Sequence, residues 1–159
     1  MSLSQIDADI LFAMDKIPET NESFYFPHSG DRLAIPFMSI DKREKFLVDI
    51  QRYSISINKV KYQNRARKSI PLRRLEINGS PHQNPETDNP PLPILSSFIG
   101  IDIPCPHVHI YFEGWGLKWA LPASEYFDLS NKNIYEVMVI FFDYCNVKKN
   151  PIIENGLLL

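Results

Sequence analysis

The chain has 159 residues, of which 44% are hydrophobic and 23% charged, a balance typical of one globular domain and not of a disordered chain. No apolar run approaches the roughly 20 residues of a membrane span, and the N-terminus lacks the basic-then-apolar order of a secretory signal. The sequence therefore predicts a single cytoplasmic domain over residues 1–159 with no membrane partner. Two cysteines, Cys105 and Cys145, are too few for a disulfide framework, so both are expected to be free thiols, with Cys145 buried.

The charge is unevenly distributed along the chain. The segment from Lys42 to Arg74, here called the basic segment, holds eleven lysines and arginines against two acids, a net charge of +9, whereas the whole chain has −2. Such segregation indicates an anionic partner, RNA first among them. A solvated basic face balanced by acidic loops would give the same count, and both interpretations stay open at this point.

The first predicted element is a helix over residues 4–17. Ser4 has the side chain of an N-cap, and Pro18 ends the element. Its predicted apolar face, at helical spacing, consists of Ile6, Ile10, Leu11 and Met14.

Residues 22–77 carry the alternation of antiparallel strands with one wet face. An apolar run at 24–26 and the turn at 28–31 precede a second run at 33–40. A meander of alternating residues follows, and its apolar positions include Phe46, Val48, Ile50, Ile55, Ile57, Val60 and Tyr62. The last strand, 72–77, alternates basic with apolar residues, so its charges are expected to project from a sheet.

Residues 78–106 hold seven of the thirteen prolines, which excludes a central strand or a long helix and predicts a long loop of functional interest. The run at 94–101 is apolar enough to anchor this loop on the core. A hairpin follows, with strands at 107–113 and 117–121. Residues 131–145 form the clearest helix, capped by Ser130 or Asn131. The order predicts an α+β fold: a mostly antiparallel sheet flanked by an N-terminal and a C-terminal helix.

The strongest candidate site is the strand that begins at His107. Alternate residues of a strand share a face, so His107, His109, Tyr111 and Glu113 are predicted to point one way. These residue types suit acid–base catalysis or metal ligation. A polar, solvent-facing strand face is the structural alternative.

A second candidate is His82, in a turn fixed by Gly79 and by the prolines at 81 and 85. A third is the hairpin turn 113–120, where Trp115 could stack on a base and Lys118 could lie on the histidine side. A zinc ion held by His82, His107 and His109, with Cys105 as a possible fourth ligand, is chemically allowed, although a metal-free site is equally consistent with the pattern.

As a set, these motifs resemble an uncharacterised family of small bacterial and phage proteins. The residues that carry the resemblance are Arg74-x-Glu76, Pro81-His82-x-Asn84-Pro85, Pro106-His107-x-His109-x-Tyr111, Glu113-Gly114-x-Gly116-x-Lys118-Trp119-Ala120 and the helix end Tyr144-Cys145-Asn146. The resemblance covers roughly residues 45–153 and implies an intracellular role in phage–host or toxin biology. This chain differs in a longer proline-rich insert between His82 and His107.

Three functions follow as hypotheses. The first is an RNA-directed, metal-independent ribonuclease of toxin type, with His107 or His109 as base, His82 as acid and Tyr111 as an orienting group. Its RNA would be held by Arg74 and Lys118 at the scissile phosphate and by Lys61, Arg65, Arg73 and Trp115 along the strand. The second is a metal-dependent hydrolase with His82, His107 and His109 as ligands and Glu113 as base. The third is a non-catalytic module that binds a protein partner.

Overall fold

A computed structural model describes residues 2–55 and 58–155. Seven strands form one antiparallel sheet in the order β1-β3-β4-β5-β6-β9-β10, and two smaller pairs, β2 with β11 and β7 with β8, complete the strands. Their bounds are β1 Lys16–Pro18, β2 Ser23–Tyr25, β3 Arg32–Ser39, β4 Lys45–Arg52, β5 Val60–Ala66, β6 Ile70–Ile77, β7 His82–Gln83, β8 Asp102–Ile103, β9 His107–Phe112, β10 Gly116–Pro122 and β11 Ile152–Glu154. The predicted α+β class, with a mostly antiparallel sheet and a helix near each end, is confirmed.

The meander predicted for residues 33–77 is present as β3 to β6. The alternating apolar residues lie on one face and are fully buried, among them Ile35, Val48, Tyr62 and Leu75, because a strand turns successive side chains to opposite faces. Ile57, which the sequence pattern placed in this meander, lies outside the described residues.

Helix α2, Ile134–Tyr144, covers the buried face of the sheet. Asn133 caps it, and Glu136 completes a capping box with the Asn133 backbone, so the cap lies three residues beyond the predicted Ser130 and two beyond the predicted Asn131. Phe141 packs against the Tyr62 ring, with the ring centroids 5.9 Å apart. Beyond the helix, Asn146 adopts a left-handed φ of 61°.

Helix α1, Gln5–Ala13, is shorter than the predicted 4–17, because the chain turns at Met14 and enters β1. The Ser4 cap is confirmed by its hydrogen bond from the Asp7 N–H. The predicted apolar face is half confirmed: Leu11 is buried and Met14 packs against the core, but Ile6 and Ile10 are 73% and 52% exposed. Ala8, which was not predicted, is the other buried side chain of this helix.

The proline-rich segment 78–106 follows the outer edge of β10. It contains β7, β8 and a 3₁₀ helix, Pro93–Phe98, whose Leu95 is fully buried. This anchoring confirms that the apolar run is held on the core, although Ile94 and Ile101 remain exposed. No helix in the described ranges is long and apolar enough to cross a membrane.

Candidate metal and acid–base site

The pairing of β6 with β9 brings four chemically active side chains together. Glu76 lies opposite His107 and Arg74 lies opposite His109 in the antiparallel register. Cross-strand partners share one face of a sheet at Cβ distances of roughly 5 Å. Because Arg74 and Glu76 alternate with the buried Leu75, the four residues project from the face of β6 opposite to that side chain.

The third histidine reaches this face from β7. The ring centroids of His82 and His109 are 4.5 Å apart, those of His107 and His109 5.0 Å, and those of His82 and His107 6.2 Å. The three imidazoles therefore converge, as the sequence analysis required. The long insert between His82 and His107 does not separate them, since it loops out and returns.

Edge pairing with β10 explains how His82 is positioned. The His82 Nε2 atom donates to the Lys118 carbonyl at 2.7 Å. Two residues on, the buried Asn84 amide donates to the Ala120 carbonyl and accepts from the Ala120 N–H, at 2.9 and 2.8 Å. The proline-flanked segment thus binds the free edge of β10 with side chains, at the two-residue spacing of a strand.

His107 and His109 are fully buried and make the same pair of contacts. The Nδ1 atoms face backbone carbonyls, of Ile103 at 3.0 Å and of Leu117 at 2.8 Å. The Nε2 atoms face one carboxylate oxygen, Glu76 Oε2, at 2.6 Å from His107 and 3.3 Å from His109. The other Glu76 oxygen, Oε1, lies 3.4 Å from Arg74 Nε.

Burial and hydrogen bonding act in opposite directions on the ionisation of this cluster. Burial disfavours charged His107, but its hydrogen bonds with Cys105 and Glu76 outweigh burial and raise the pKa of His107 to about 9. Burial also opposes ionisation of Glu76, yet its hydrogen bonds with both histidines hold the pKa of that carboxyl well below its usual range. Burial lowers the pKa of His109.

The hydrogen-bond inventory of the cluster lacks donors. A neutral imidazole has one N–H and one lone pair, whereas each of these rings faces a carbonyl on one side and a carboxylate on the other. A doubly protonated His107 donates on both sides, which leaves His109 Nε2 as the atom without a proton for Glu76. The alternative is a cation that lies between the two Nε2 atoms and Glu76 in place of these protons. The three ligand atoms lie within 4.8 Å of one another, which is close enough for one ion to bind all of them.

A cavity of about 260 Å³ opens in front of the cluster. Its wall includes His82, His109, Glu76 and Arg74, and on the other side the aromatic and basic residues Tyr53, Lys59 and Lys61. His107 does not line the cavity and is fully buried in the protein. The cluster is thus open to a small ligand at His82 and His109.

Two residues predicted for the site lie elsewhere. The hydroxyl of Tyr111 donates to the Leu3 carbonyl at 2.8 Å, and the ring is buried in the main core. Glu113 lies beyond the end of β9, where it accepts the Gln5 N–H at 3.0 Å. Both side chains attach helix α1 to the hairpin, and neither lines the cavity.

The structure also places most of the predicted substrate-binding residues away from the histidines. Arg73 stacks over the Phe12 ring and donates to the Tyr144 hydroxyl. Arg65 makes a bidentate ion pair with Asp49 at 2.7 and 2.9 Å. Trp115 packs on the Trp119 ring, and Lys118 contributes only its carbonyl while its side chain is exposed. Arg74 and Lys61 do line the cavity.

Glu76 is the functional residue that the sequence analysis did not assign. It appeared there only as part of the Arg74-x-Glu76 motif. One pattern in the sequence could have indicated Glu76: Arg74-x-Glu76 and His107-x-His109 have the same spacing. Side chains at alternate positions of two paired strands lie on one face of the sheet and can contact each other. The register that joins the two motifs is not visible in a single sequence.

Asn84 provides a test of how the segment is held. Replacing Asn84 by Ala is expected to destabilise the protein by about 2 kcal/mol, because the backbone groups of Ala120 and the Phe98 carbonyl lose their partner. Thermal unfolding measures this change. Replacement of the exposed Gln83 by Ala is the matched control and is expected to cost less than about 0.5 kcal/mol. Equal effects would show that Asn84 does not anchor the segment.

Fold and cluster together define a small α+β protein whose antiparallel sheet carries a His–His–Glu site beneath a cavity. The chain belongs to a family of unknown function, DUF6978, whose model matches residues 3–147. No curated protein matches the chain, and no solved structure matches it.

Proposed function

We propose that this protein is a metal-dependent hydrolase in which Glu76, His107 and His109 bind a divalent cation and His82 transfers the proton. One observation carries the proposal. The Nε2 atoms of both buried histidines face the same carboxylate oxygen, while both Nδ1 atoms are bound to backbone carbonyls. A carbonyl only accepts hydrogen bonds, so each Nδ1 carries a proton, and once a cation displaces the Nε2 proton of His107 both rings direct lone pairs at Glu76.

The donor set fits zinc. Zn²⁺ in catalytic sites takes three protein ligands, commonly imidazole and carboxylate, and keeps one position open. Ligating histidines usually donate their other N–H to a carbonyl or carboxylate, which fixes the tautomer. His107 and His109 are held in this way in the protein alone. A bound divalent cation supplies Lewis-acid chemistry and acidifies bound water.

Glu76 replaces His82 in the ligand set that the sequence suggested. The Nε2 atom of His82 is occupied by the Lys118 carbonyl, and His82 is not among the converging ligand atoms. Its ring is partly exposed at the cavity wall. Because Nε2 carries the proton that binds Lys118, Nδ1 is the basic atom, and it can accept a proton from water in the cavity and return it to the leaving group.

Metal stoichiometry is the direct test of this proposal. Protein purified without a His-tag and titrated with zinc under calorimetry is expected to bind about one ion per chain. Replacement of the exposed His28 by Ala serves as the control, because this fourth histidine lies in a turn outside the site. Binding well below one ion per chain would contradict the proposal.

The role of His82 makes a separate prediction. Replacing His82 by Ala is expected to leave zinc stoichiometry unchanged and to lower the turnover of zinc-loaded protein about 100-fold, the low end of what a positioned acid–base group contributes. Hydrolysis of p-nitrophenyl phosphate and p-nitrophenyl acetate measures the turnover. Loss of zinc in this variant would instead make His82 a ligand, and unchanged turnover would remove it from the chemistry.

A second candidate is the metal-independent ribonuclease, and the proximity of the His82 and His109 rings favours it. At 4.5 Å between centroids, the two imidazoles are close enough to act as acid and base on one phosphate once His109 Nε2 leaves its 3.3 Å contact with Glu76, with Arg74 beside them to bind the charge. Cleavage of a short single-stranded RNA that persists unchanged in excess chelator is the result expected of this candidate. Loss of all cleavage on chelation is the result expected of the hydrolase.

A further inference from the structure

The cavity in front of the histidines differs in charge from the rest of the basic segment. Elsewhere in that segment, carboxylates pair with the cations: Arg65 with Asp49, Arg67 with Glu44, and Lys45 with Glu19. Lys59 and Lys61 have no carboxylate partner in the part of the chain that the structure describes. Asp49 and Glu44 are already counted in the net charge of +9, so the segment as a whole stays basic. At this cavity the two lysines keep their charge without a carboxylate beside them.

The two lysines are held by an aromatic ring. The Lys59 and Lys61 ammonium groups lie 4.4 and 6.0 Å from the Tyr53 ring centroid, a cation–π arrangement that fixes charge without neutralising it. The Lys59 side chain also passes close to Gly79, since a Cβ placed on that glycine would lie 3.5 Å from Lys59 Cε. Both cations are thus positioned at the mouth of the cavity.

Arg74 adds a third cation, which forms an ion pair with Glu76 but keeps a buried donor without a hydrogen bond. Its Nε atom is buried and makes no hydrogen bond within the described residues, although it lies 3.4 Å from Glu76 Oε1. The one carboxylate in the cavity wall, Glu76, is turned to the histidines through its other oxygen. Cations in a cavity with low-dielectric walls concentrate anions there.

The size of the cavity limits the ligand. About 260 Å³ is smaller than the roughly 300–1,000 Å³ of pockets that enclose a whole drug-sized molecule. A cavity of this size holds one phosphate group and part of the group esterified to it. Further along the same face of β5, Arg65 is already paired with Asp49, so a long polyanion gains no additional free cation there.

We infer that the substrate of this site is a phosphate ester that presents one phosphate to Lys59, Lys61 and Arg74, an inference that rests on the proposed hydrolase function. In the reaction, a water oxygen forms a bond to phosphorus and the bond from phosphorus to the ester oxygen breaks. The water proton passes through His82 Nδ1 to the leaving alcohol. One water is consumed, and no oxidant or reductant is needed.

Binding of phenyl phosphate to zinc-loaded protein tests the inference. The double variant Lys59→Gln/Lys61→Gln is expected to bind this probe at least about tenfold more weakly by calorimetry than the unmodified chain. Lys42→Gln removes a charge from the same segment but lines a different cavity, and it is expected to bind as the unmodified chain does. Equal affinity in the double variant, or no binding at millimolar probe, would overturn the inference.

Two further measurements separate this inference from the proposed function. Hydrolysis of p-nitrophenyl acetate without hydrolysis of p-nitrophenyl phosphate would retain the hydrolase and overturn the phosphate ester. Binding of phenyl phosphate that depends on the lysines, in protein that binds no zinc, would retain the anion site and remove the metal. A short single-stranded RNA is expected to show a salt slope of about −1, as for one to two phosphates; a slope of −5 or steeper would favour an extended RNA track over the single phosphate.

Discussion

Replacing Glu76 by Gln is expected to abolish stoichiometric zinc binding and to lower ester hydrolysis at least about 1,000-fold. The amide keeps the size of the side chain but removes the charged oxygen that faces both Nε2 atoms. Metal-ion catalysis contributes several kcal/mol of transition-state stabilisation, and each 1.36 kcal/mol changes a rate tenfold. Zinc calorimetry and turnover of p-nitrophenyl phosphate measure the two effects.

Glu113→Gln is the matched control for this experiment. Glu113 follows the same strand as the two histidines and is exposed, but its carboxylate accepts the Gln5 N–H instead of facing an imidazole. This variant is expected to bind zinc and to turn over substrate as the unmodified chain does. Equal losses in both variants would point to general damage to β9, and full zinc binding by the Glu76 variant would exclude it as a ligand.

Replacing Lys16 by Met is expected to lower the free energy of unfolding by about 3 kcal/mol and the Tm by about 9 °C. Lys16 is fully buried, and its ammonium donates to the carbonyls of Phe12, Met14 and Cys145 at 2.8 to 2.9 Å. These carbonyls end both helices, where the helix dipole is negative. Met fills the space but leaves three acceptors unpaired.

The measurement belongs at pH 7, where the ammonium is still charged. Burial lowers the pKa of Lys16 to about 8, so most of the side chains carry a proton there. Lys148→Met is the control, because Lys148 is half-exposed and only 3.7 Å from Asp15 in a surface pair; such a change is expected to cost less than about 0.5 kcal/mol. Similar shifts in both variants would mean that the three carbonyls do not depend on Lys16.

The strands were the part of the fold that the sequence predicted best. Alternation of apolar and polar residues identified β3 to β6, because the period of two follows directly from strand geometry. Helix α1 was harder: Ile6 and Ile10 fit a 3.6-residue period but face solvent, while the smaller Ala8 packs inward. Periodicity identifies the apolar residues that share one face of a helix, but it does not show which face the rest of the chain covers.

The histidines of the candidate site could be predicted from the sequence, but its carboxylate could not. The His107-x-His109 spacing placed two rings on one face, and the prolines around His82 indicated a fixed turn. Glu76 could not be selected, because its role depends on the pairing of β6 with β9 across an insert of some thirty residues. Tyr111 and Glu113 were assigned to the site on strand parity, but long-range contacts with Leu3 and Gln5 engage them.

For the basic segment, too, the sequence showed the residue types but not their contacts. A count of charges along the chain includes Asp49 and Glu44, but it cannot show that these acids pair with Arg65 and Arg67, or that Glu19 pairs with Lys45. Lys59 and Lys61 lie beside Tyr53 in the wall of the cavity and have no carboxylate partner among the described residues. The charge count suggests an anionic ligand but does not say where such a ligand would bind, and the position proposed here comes from the structure.

Anomalous diffraction at the zinc edge, from crystals of protein incubated with one equivalent of zinc, tests the proposed metal site at the atomic level. A single strong peak should lie 2.0–2.2 Å from His107 Nε2, His109 Nε2 and a Glu76 oxygen, with both Nδ1 atoms still bound to the Ile103 and Leu117 carbonyls. A map without that peak, in which the imidazoles remain hydrogen-bonded directly to the Glu76 carboxylate, would contradict a metal site at this position.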